Sequence, residues 1–390
     1  MLPDDVGARQ EGSVATLEPY QGVFLVSFGG PEAPEQVVPF LRSVTAGRGI
    51  PDDRLAEVGR HYTDRGGRSP INDENRALQA ALAAELARRD LDVPVIWGNR
   101  HLEPSLVTML QEGVHRGVRR GVVVLTSAYP SYSGCRQYRE DLAAALAALP
   151  EEDRPVLDKI PAYAGHPGFV GTMGDLTADS VAEFTGGGGL PPEAIALVFV
   201  THSIPLASDA GSGPPADGGH AYTRWHTAVA QEVTATVTAR TGARLRHDVV
   251  YCSRSGPPNQ PWLEPDISDH LALLAEQGIR AVVVVPLGFL SDHMEVVYDL
   301  DTVAGQDAAR LGLQFRRVST VRAHPRFVAG LLDLVQARAA RARAGEAHQE
   351  RPHPEGASKL TEGLRLPDRC AVGCCVNPRN ARPAVCGEDS

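Results

Sequence analysis

Short runs of valine, isoleucine and other apolar residues alternate along the chain with longer amphipathic stretches. The runs Gly22–Phe28, Val93–Gly98, Gly121–Ser127, Ile195–Thr201, Asp248–Cys252, Ala281–Leu287 and Leu313–Ser319 read as strands. Between them, Asp73–Arg89, Pro104–Arg116, Gln137–Ala148, Gly168–Phe184, Ala221–Thr241, Ile267–Gln277 and Met294–Ala309 carry helical spacing, and Pro325–Ala344 adds a last helix. Strands that alternate with helices, and that are apolar throughout, predict an α/β protein with parallel sheets covered on both faces.

The pattern occurs twice. Leu102-Glu103-Pro104 returns as Leu263-Glu264-Pro265, and Gly117-Val118-Arg119 as Gly278-Ile279-Arg280, both 161 residues later. Phe24–Pro31 also aligns with Val198–Pro205, at a different offset. This predicts two similar α/β domains over residues 20–165 and 166–344, after a flexible N-terminus (1–19) and before a polar linker (345–369) and a cysteine-rich tail (370–390). Ligands of open α/β sheets bind beyond the carboxyl ends of the strands. Phe28 and His202 hold equivalent positions there, so facing domains would bring a ring and an imidazole to a flat ligand from opposite sides.

Composition narrows the classes. With 390 residues, 43% hydrophobic and 22% charged, the chain reads as a soluble globular protein of two or three domains. A net charge of −10 argues against nucleic acid as the main partner. The first residues show no basic segment followed by an apolar core, so no signal peptide is expected. The longest apolar stretch, Ala281–Leu290, is broken by Pro286 and Gly288 and falls far short of the ~20 residues that span a bilayer. A cytoplasmic location with reduced cysteines is expected. Arginine supplies nearly all the positive charge, the only lysines being Lys159 and Lys359.

Four segments carry candidate chemistry. In Thr201–Pro205, His202 reads equally well as a structural hydrogen-bonder or as a base or metal ligand; no G-x-S-x-G elbow accompanies it. In Gly288–Asp301, Glu295 and Asp299 share a helix face and Asp292 lies near it, a self-repelling set that calls for a cation or a proton. A helix dipole alone would account for Asp292 but less well for Asp299. No H-E-x-x-H pair supports zinc-protease chemistry. Tyr129–Tyr138 mixes aromatic, hydroxyl and cationic groups, as a loop holding a large anionic ligand or as an ordinary surface loop. Gly66–Pro70, with Arg42, Arg48 and Arg65, offers bidentate partners for carboxylates, or simply solvated arginines. Gly186–Gly189 lacks the Lys-Ser/Thr of a phosphate loop.

Taken together, Leu25–Pro31, Gly66–Pro70, Thr126–Tyr138, Thr201–Pro205, Ser253–Ile267 and Gly288–Asp301 resemble the ferrochelatases, in the family's order and across nearly all of residues 20–340. The resemblance implies two flavodoxin-like, doubly wound domains with a porphyrin between them and Fe2+ as co-substrate. It makes His202 and Glu295 the catalytic, iron-handling pair, with Asp292 and Asp299 as a relay, and places Ser69, Tyr138, Phe28, Arg42 and Arg48 against the porphyrin. Some relatives have an iron-ligating tyrosine at the position of Phe28; phenylalanine cannot ligate. Metallation removes two pyrrole protons, and an unperturbed histidine is largely neutral near pH 7, so His202 is expected to accept a proton or ligate iron. The imidazole of one half and the acidic ridge of the other are expected to converge on the centre of one tetrapyrrole.

Where membrane-associated ferrochelatases carry an apolar lip, Phe40–Gly49 is polar and cationic. With the arginine bias and the cysteine tail, this is similar to the actinobacterial coproporphyrin III branch, so Fe-coproporphyrin III is the expected product. A protoporphyrin IX enzyme, a chelatase for another metal and a non-catalytic haem carrier are the alternatives. Haem-pathway enzymes are the expected protein partners. Thiolates crowded near the C-terminus suggest zinc in general. The resemblance favours a 2Fe–2S cluster held by Cys135, Cys374, Cys375 and Cys386, with Cys370 as a competitor and Cys252 as a buried structural thiol.

Overall fold

The computed structural model describes residues 16–47, 49–255, 259–345, 360–361, 363–364 and 366–388. Eight strands among them form two four-stranded sheets, both parallel throughout. The first contains β1 (Gly22–Ser27), β2 (Val95–Asn99), β3 (Arg120–Leu125) and β4 (Val156–Lys159), in the order β2-β1-β3-β4. The second contains β5 (Ile195–His202), β6 (Arg246–Cys252), β7 (Ala281–Val285) and β8 (Gln314–Arg317), in the order β6-β5-β7-β8. The two orders are the same, as duplication predicts. Register agrees: Gly22 pairs with Gly121, and Ala196 with Val282, which keeps the 161-residue offset between β3 and β7 and makes His202 the counterpart of Phe28. All of β1, and all of β5 except His202, is buried, because helices cover both sheet faces.

The helices α1 (Pro34–Val44), α2 (Asp52–Thr63), α3 (Ile71–Arg88), α4 (Leu106–His115) and α5 (Gln137–Ala147) surround the first sheet. The chain then crosses through α6 (Pro167–Thr185) to the second sheet, with α7 (Leu206–Ala210), α8 (Ala221–Thr241), α9 (Ile267–Glu276) and α10 (Gly305–Arg310). The last helix, α11 (Pro325–Ala344), packs on α3 and α6 and so ties the halves together. Arg338 of α11 reaches the buried Asp158 of β4 at 2.6 Å. A π-helix follows β3 (Tyr132–Arg136) and another follows β7 (Val296–Ala304), at matching places in the repeat. Wide helical turns of this kind recur at functional sites.

Three elements escape the hydrophobic pattern. β4 has two apolar residues followed by Asp158 and Lys159, both buried because each has a charge to meet. α1 carries Pro39 in its interior, and α2 buries only Leu55 and Gly59.

The tail is fastened, not free. Arg341 donates to both oxygens of the fully buried Asp368 carboxylate, at 2.6 and 2.9 Å. Removing one partner of a buried ion pair leaves the other charge stranded, at a cost of about 3–5 kcal/mol. Asp368→Ala should therefore release residues 366–388 to limited proteolysis while the two sheets stay protected; an unchanged cleavage pattern would contradict this anchoring.

Candidate active site

β5 and β7 are neighbours in the second sheet, so the residues just past their ends meet. His202 ends β5, and Glu295 begins the π-helix that follows β7. Glycine is required where they approach: a Cβ on Gly288 would lie 2.1 Å from Thr201 Oγ1. The Nε2 atom of His202 lies 3.3 Å from Glu295 Oε1. Its Nδ1 lies 2.5 Å from the Ser203 carbonyl oxygen, which can only accept, so Nδ1 carries a proton and Nε2 faces Glu295. Thr201 donates to the Tyr222 hydroxyl at 2.7 Å, and that hydroxyl donates to the His202 carbonyl at 2.8 Å, fixing the strand end from beneath.

The electrostatics differ from the expectation of a neutral imidazole. Burial disfavours a charge on His202, but Glu295 beside it outweighs burial and raises its pKa to about 9. Burial pushes the Glu295 carboxyl up, while His202, by charge and hydrogen bond, brings it down to about 2. At neutral pH the pair is therefore an imidazolium and a carboxylate. The side chains are 32% and 45% exposed, so water moderates both shifts. Asp299, half-buried and next to the Glu295 charge, is raised to about 6 by partial desolvation, despite the hydroxyl that Ser253 donates to it. His293, lowered by burial and by His202, lies 3.7 Å from Glu295.

Asp292 is occupied elsewhere. Arg317 and Arg322 pair with it at 3.1 and 2.5 Å, Thr320 donates to it at 3.0 Å, and its backbone N–H donates to Glu74 of α3 at 2.6 Å. It braces the loop against the first half.

The imidazole and the acidic ridge thus sit on the same half, not on opposite halves. The N-terminal half contributes apolar and cationic walls. Phe28 packs edge-on against His101 at 4.7 Å and Phe40 at 6.1 Å, and the Arg100 guanidinium, held by Asp141 at 2.8 Å, lies over both Phe28 and the buried Tyr138. Ser69 is buried against Gly30. Arg42 is exposed on α1 and pairs with Asp52, and Arg48 lies outside the described residues.

The residues that the sequence did not single out are those of α2. Tyr62 is packed on Phe40, and its hydroxyl pKa is raised by burial and then by the charges of Glu295 and Asp299. His61 stacks on Tyr298 at 3.8 Å, and Arg65 lies over the same ring and donates to Thr302. Helix α2 is therefore laid across the π-helix that carries the acids. The His61/Tyr62 pair, just before Gly66–Pro70, was the available signal.

A second cluster lies at the far side of the first sheet. Cys135, on the first π-helix, meets Cys370, Cys374 and Cys375 of the tail, all four buried. The four pack against one another, the Cys374 thiol donates to Cys375 Sγ at 3.9 Å, and the Gly213 N–H donates to Cys375 Sγ at 3.2 Å. Cys386 stands apart, its thiol donating to the Leu157 carbonyl at 3.3 Å, so the structure places Cys370 in the quartet and Cys386 outside it. Cys252 is buried in the core of the second sheet. Among the described residues no three His, Cys, Asp or Glu side chains are spread as ligands around one point; the four thiols touch one another instead.

A chelatase-type arrangement, with two like sheets, a histidine–carboxylate pair at one strand end and aromatic and cationic walls opposite, agrees with the sequence comparisons. The ferrochelatase family model matches residues 20–339, and the chain belongs to that family. It is 50% identical over 385 residues to the coproporphyrin III ferrochelatase of Streptomyces coelicolor, covering 97% of this chain and 98% of that protein. The coproporphyrin III ferrochelatase of Nocardia farcinica is 42% identical over 94% of this chain and 99% of its own length. That of Mycolicibacterium smegmatis is 46% identical over 81% and 89%.

Proposed function

We infer that the chain inserts Fe2+ into coproporphyrin III to form Fe-coproporphyrin III, releasing two protons. The observation that carries the substrate is the end-to-end likeness to the Streptomyces coelicolor enzyme, 50% identical over 97% of this chain. Physical features support it. The rim of α1, α2 and the following loop presents the exposed Arg42, Arg54, Arg60 and Arg68, beside the half-buried Arg65. Several of these arginines are held only in exposed ion pairs such as Arg42–Asp52 and Arg68–Asp73, which are weak and readily exchanged for a ligand carboxylate. A porphyrin with four carboxylates gains more from such a rim than one with two. Each extra exposed ion pair is worth about 0.2–1 kcal/mol. Anaerobic incubation with Fe2+ and each porphyrin, followed by absorbance, should therefore show coproporphyrin III metallated several-fold faster than protoporphyrin IX. Equal rates would overturn the substrate assignment.

In this reading His202 and Glu295 are the catalytic pair. The resting imidazolium must lose its proton before it can take one from a pyrrole nitrogen. Fe2+ arriving at the Glu295 carboxylate disfavours the neighbouring positive charge and drives that proton off, toward Asp299, whose pKa near 6 suits it to pass protons on. With Nδ1 fixed on the Ser203 carbonyl, the freed Nε2 lone pair points at the porphyrin. Phe28, Tyr138 and Ser69 line the ring's side of the cleft, and Asp292 serves as a brace.

The cysteine quartet suits a 2Fe–2S cluster, with Cys135, Cys370, Cys374 and Cys375 as its four ligands. The fit lies in the donor set, four buried thiols in one place, and in a buried ammonium beside them with no hydrogen-bond partner among the described residues. Bound there, the group would cross-link the tail to the first sheet. Among the described residues no helix is long and apolar enough to cross a membrane, which agrees with a cytoplasmic enzyme exchanging its substrate and product with other haem-pathway enzymes.

A further inference from the structure

We propose that Lys159 is the fixed counter-charge of the cysteine quartet, stabilising the dianion that four thiolates make around the cluster and setting how readily that group takes up an electron. This rests on the cluster reading above. Lys159 closes β4 and is only 2% exposed. Its Nζ has no hydrogen-bond partner among the described residues. The adjacent carboxylate, Asp158, projects to the other face of the strand, where Arg120 at 2.7 Å and Arg338 at 2.6 Å take it. Lys159 and Cys135 instead line one small cavity with Ser127, Tyr129 and Tyr163, of about 10 Å³, room for one water. A single water accepts one of the three ammonium N–H bonds.

Cys370, Cys135 and Cys386 are the groups whose deprotonated forms would stabilise this ammonium, with Arg139 opposing. An ammonium buried without a counter-charge is costly. Four protonated thiols supply no compensation. Four thiolates around an oxidised 2Fe–2S core carry two net negative charges, and three after one-electron reduction. A fixed cation favours the more negative state, so its removal should make the group harder to reduce.

The test uses the full-length protein, purified anaerobically, as wild type, Lys159→Met and Lys159→Arg. Iron and sulfide are assayed, and the visible bands are titrated against dithionite with redox mediators. The wild type should contain iron and sulfide. In Lys159→Met the midpoint should move to more negative potential by at least a tenfold change in the reduction equilibrium, 59 mV for one electron, or at least half the iron and sulfide should be lost. Lys159→Arg should stay within threefold of wild type, and Lys159→Gln replaces the methionine variant if that fails to fold. An unchanged midpoint with full iron and sulfide in the neutral variant would overturn the role of Lys159. Zinc in place of iron and sulfide would overturn the cluster reading alone; Lys159 is then tested by chelator extraction, expected at least tenfold faster in Lys159→Met, with an equal rate counting against it. A wild type holding neither metal would overturn both.

Discussion

His202→Ala should lower kcat for iron insertion by on the order of 10²–10⁴, the usual contribution of a positioned proton-transfer group, with KM for the porphyrin changed less than about threefold. The split follows from where the groups lie. The imidazole ends β5 in the second half, whereas Phe28, Tyr138 and the arginine rim lie on the first. Alanine leaves β5 intact, since the strand end is held through the backbone carbonyl by Tyr222. Anaerobic steady-state kinetics and a thermal melt distinguish the outcomes. A kcat within threefold of wild type would remove His202 from the chemistry; a KM rise with unchanged kcat would make it a binding residue.

Glu295→Gln should act through a different quantity. The carboxylate is the main group that holds the His202 proton: its removal leaves burial, which lowers a histidine pKa, opposed only by the Ser203 carbonyl and Asp299. His202 should fall from about 9 toward its ordinary value of 6.5. A raised pKa means that the base form appears only as pH rises through about 9; in the variant it appears at lower pH. The rising limb of kcat/KM should therefore move by at least about one pH unit toward acid, while the plateau falls on the order of 10²-fold if this carboxylate draws the dication. The imidazole resonances of His202, followed by NMR from pH 5 to 10, report the shift directly. A His202 titration unchanged in Glu295→Gln would mean that the 3.3 Å pairing does not govern the site.

How much of this was legible follows from what each residue does. Strands buried on both faces announce themselves, because every position must be apolar; β1, β5 and β7 were readable for that reason. β4 was not, since its Asp158 and Lys159 are buried for their charge. The repeat was visible because turn residues such as Gly117 and Gly278 share a left-handed backbone that few residues accept. His202 and Glu295 stood out as motif residues, yet their neighbourhood depends on β5 lying beside β7, a long-range pairing that periodicity does not encode. The same holds for Tyr62 and His61, which reach the π-helix from the other half. Among the tail thiols, spacing cannot rank Cys370 against Cys386; the backbone pairing of Cys370 with Gly387 does, turning one thiol to the quartet and the other to Leu157.

The most direct test is a crystal structure with coproporphyrin III bound. It should show the macrocycle between the two sheets, its pyrrole nitrogens within about 3–3.5 Å of His202 Nε2, Phe28 against the ring and carboxylates on the arginine rim. A porphyrin bound outside that cleft, or one whose central nitrogens face away from His202 and Glu295, would contradict the assignment.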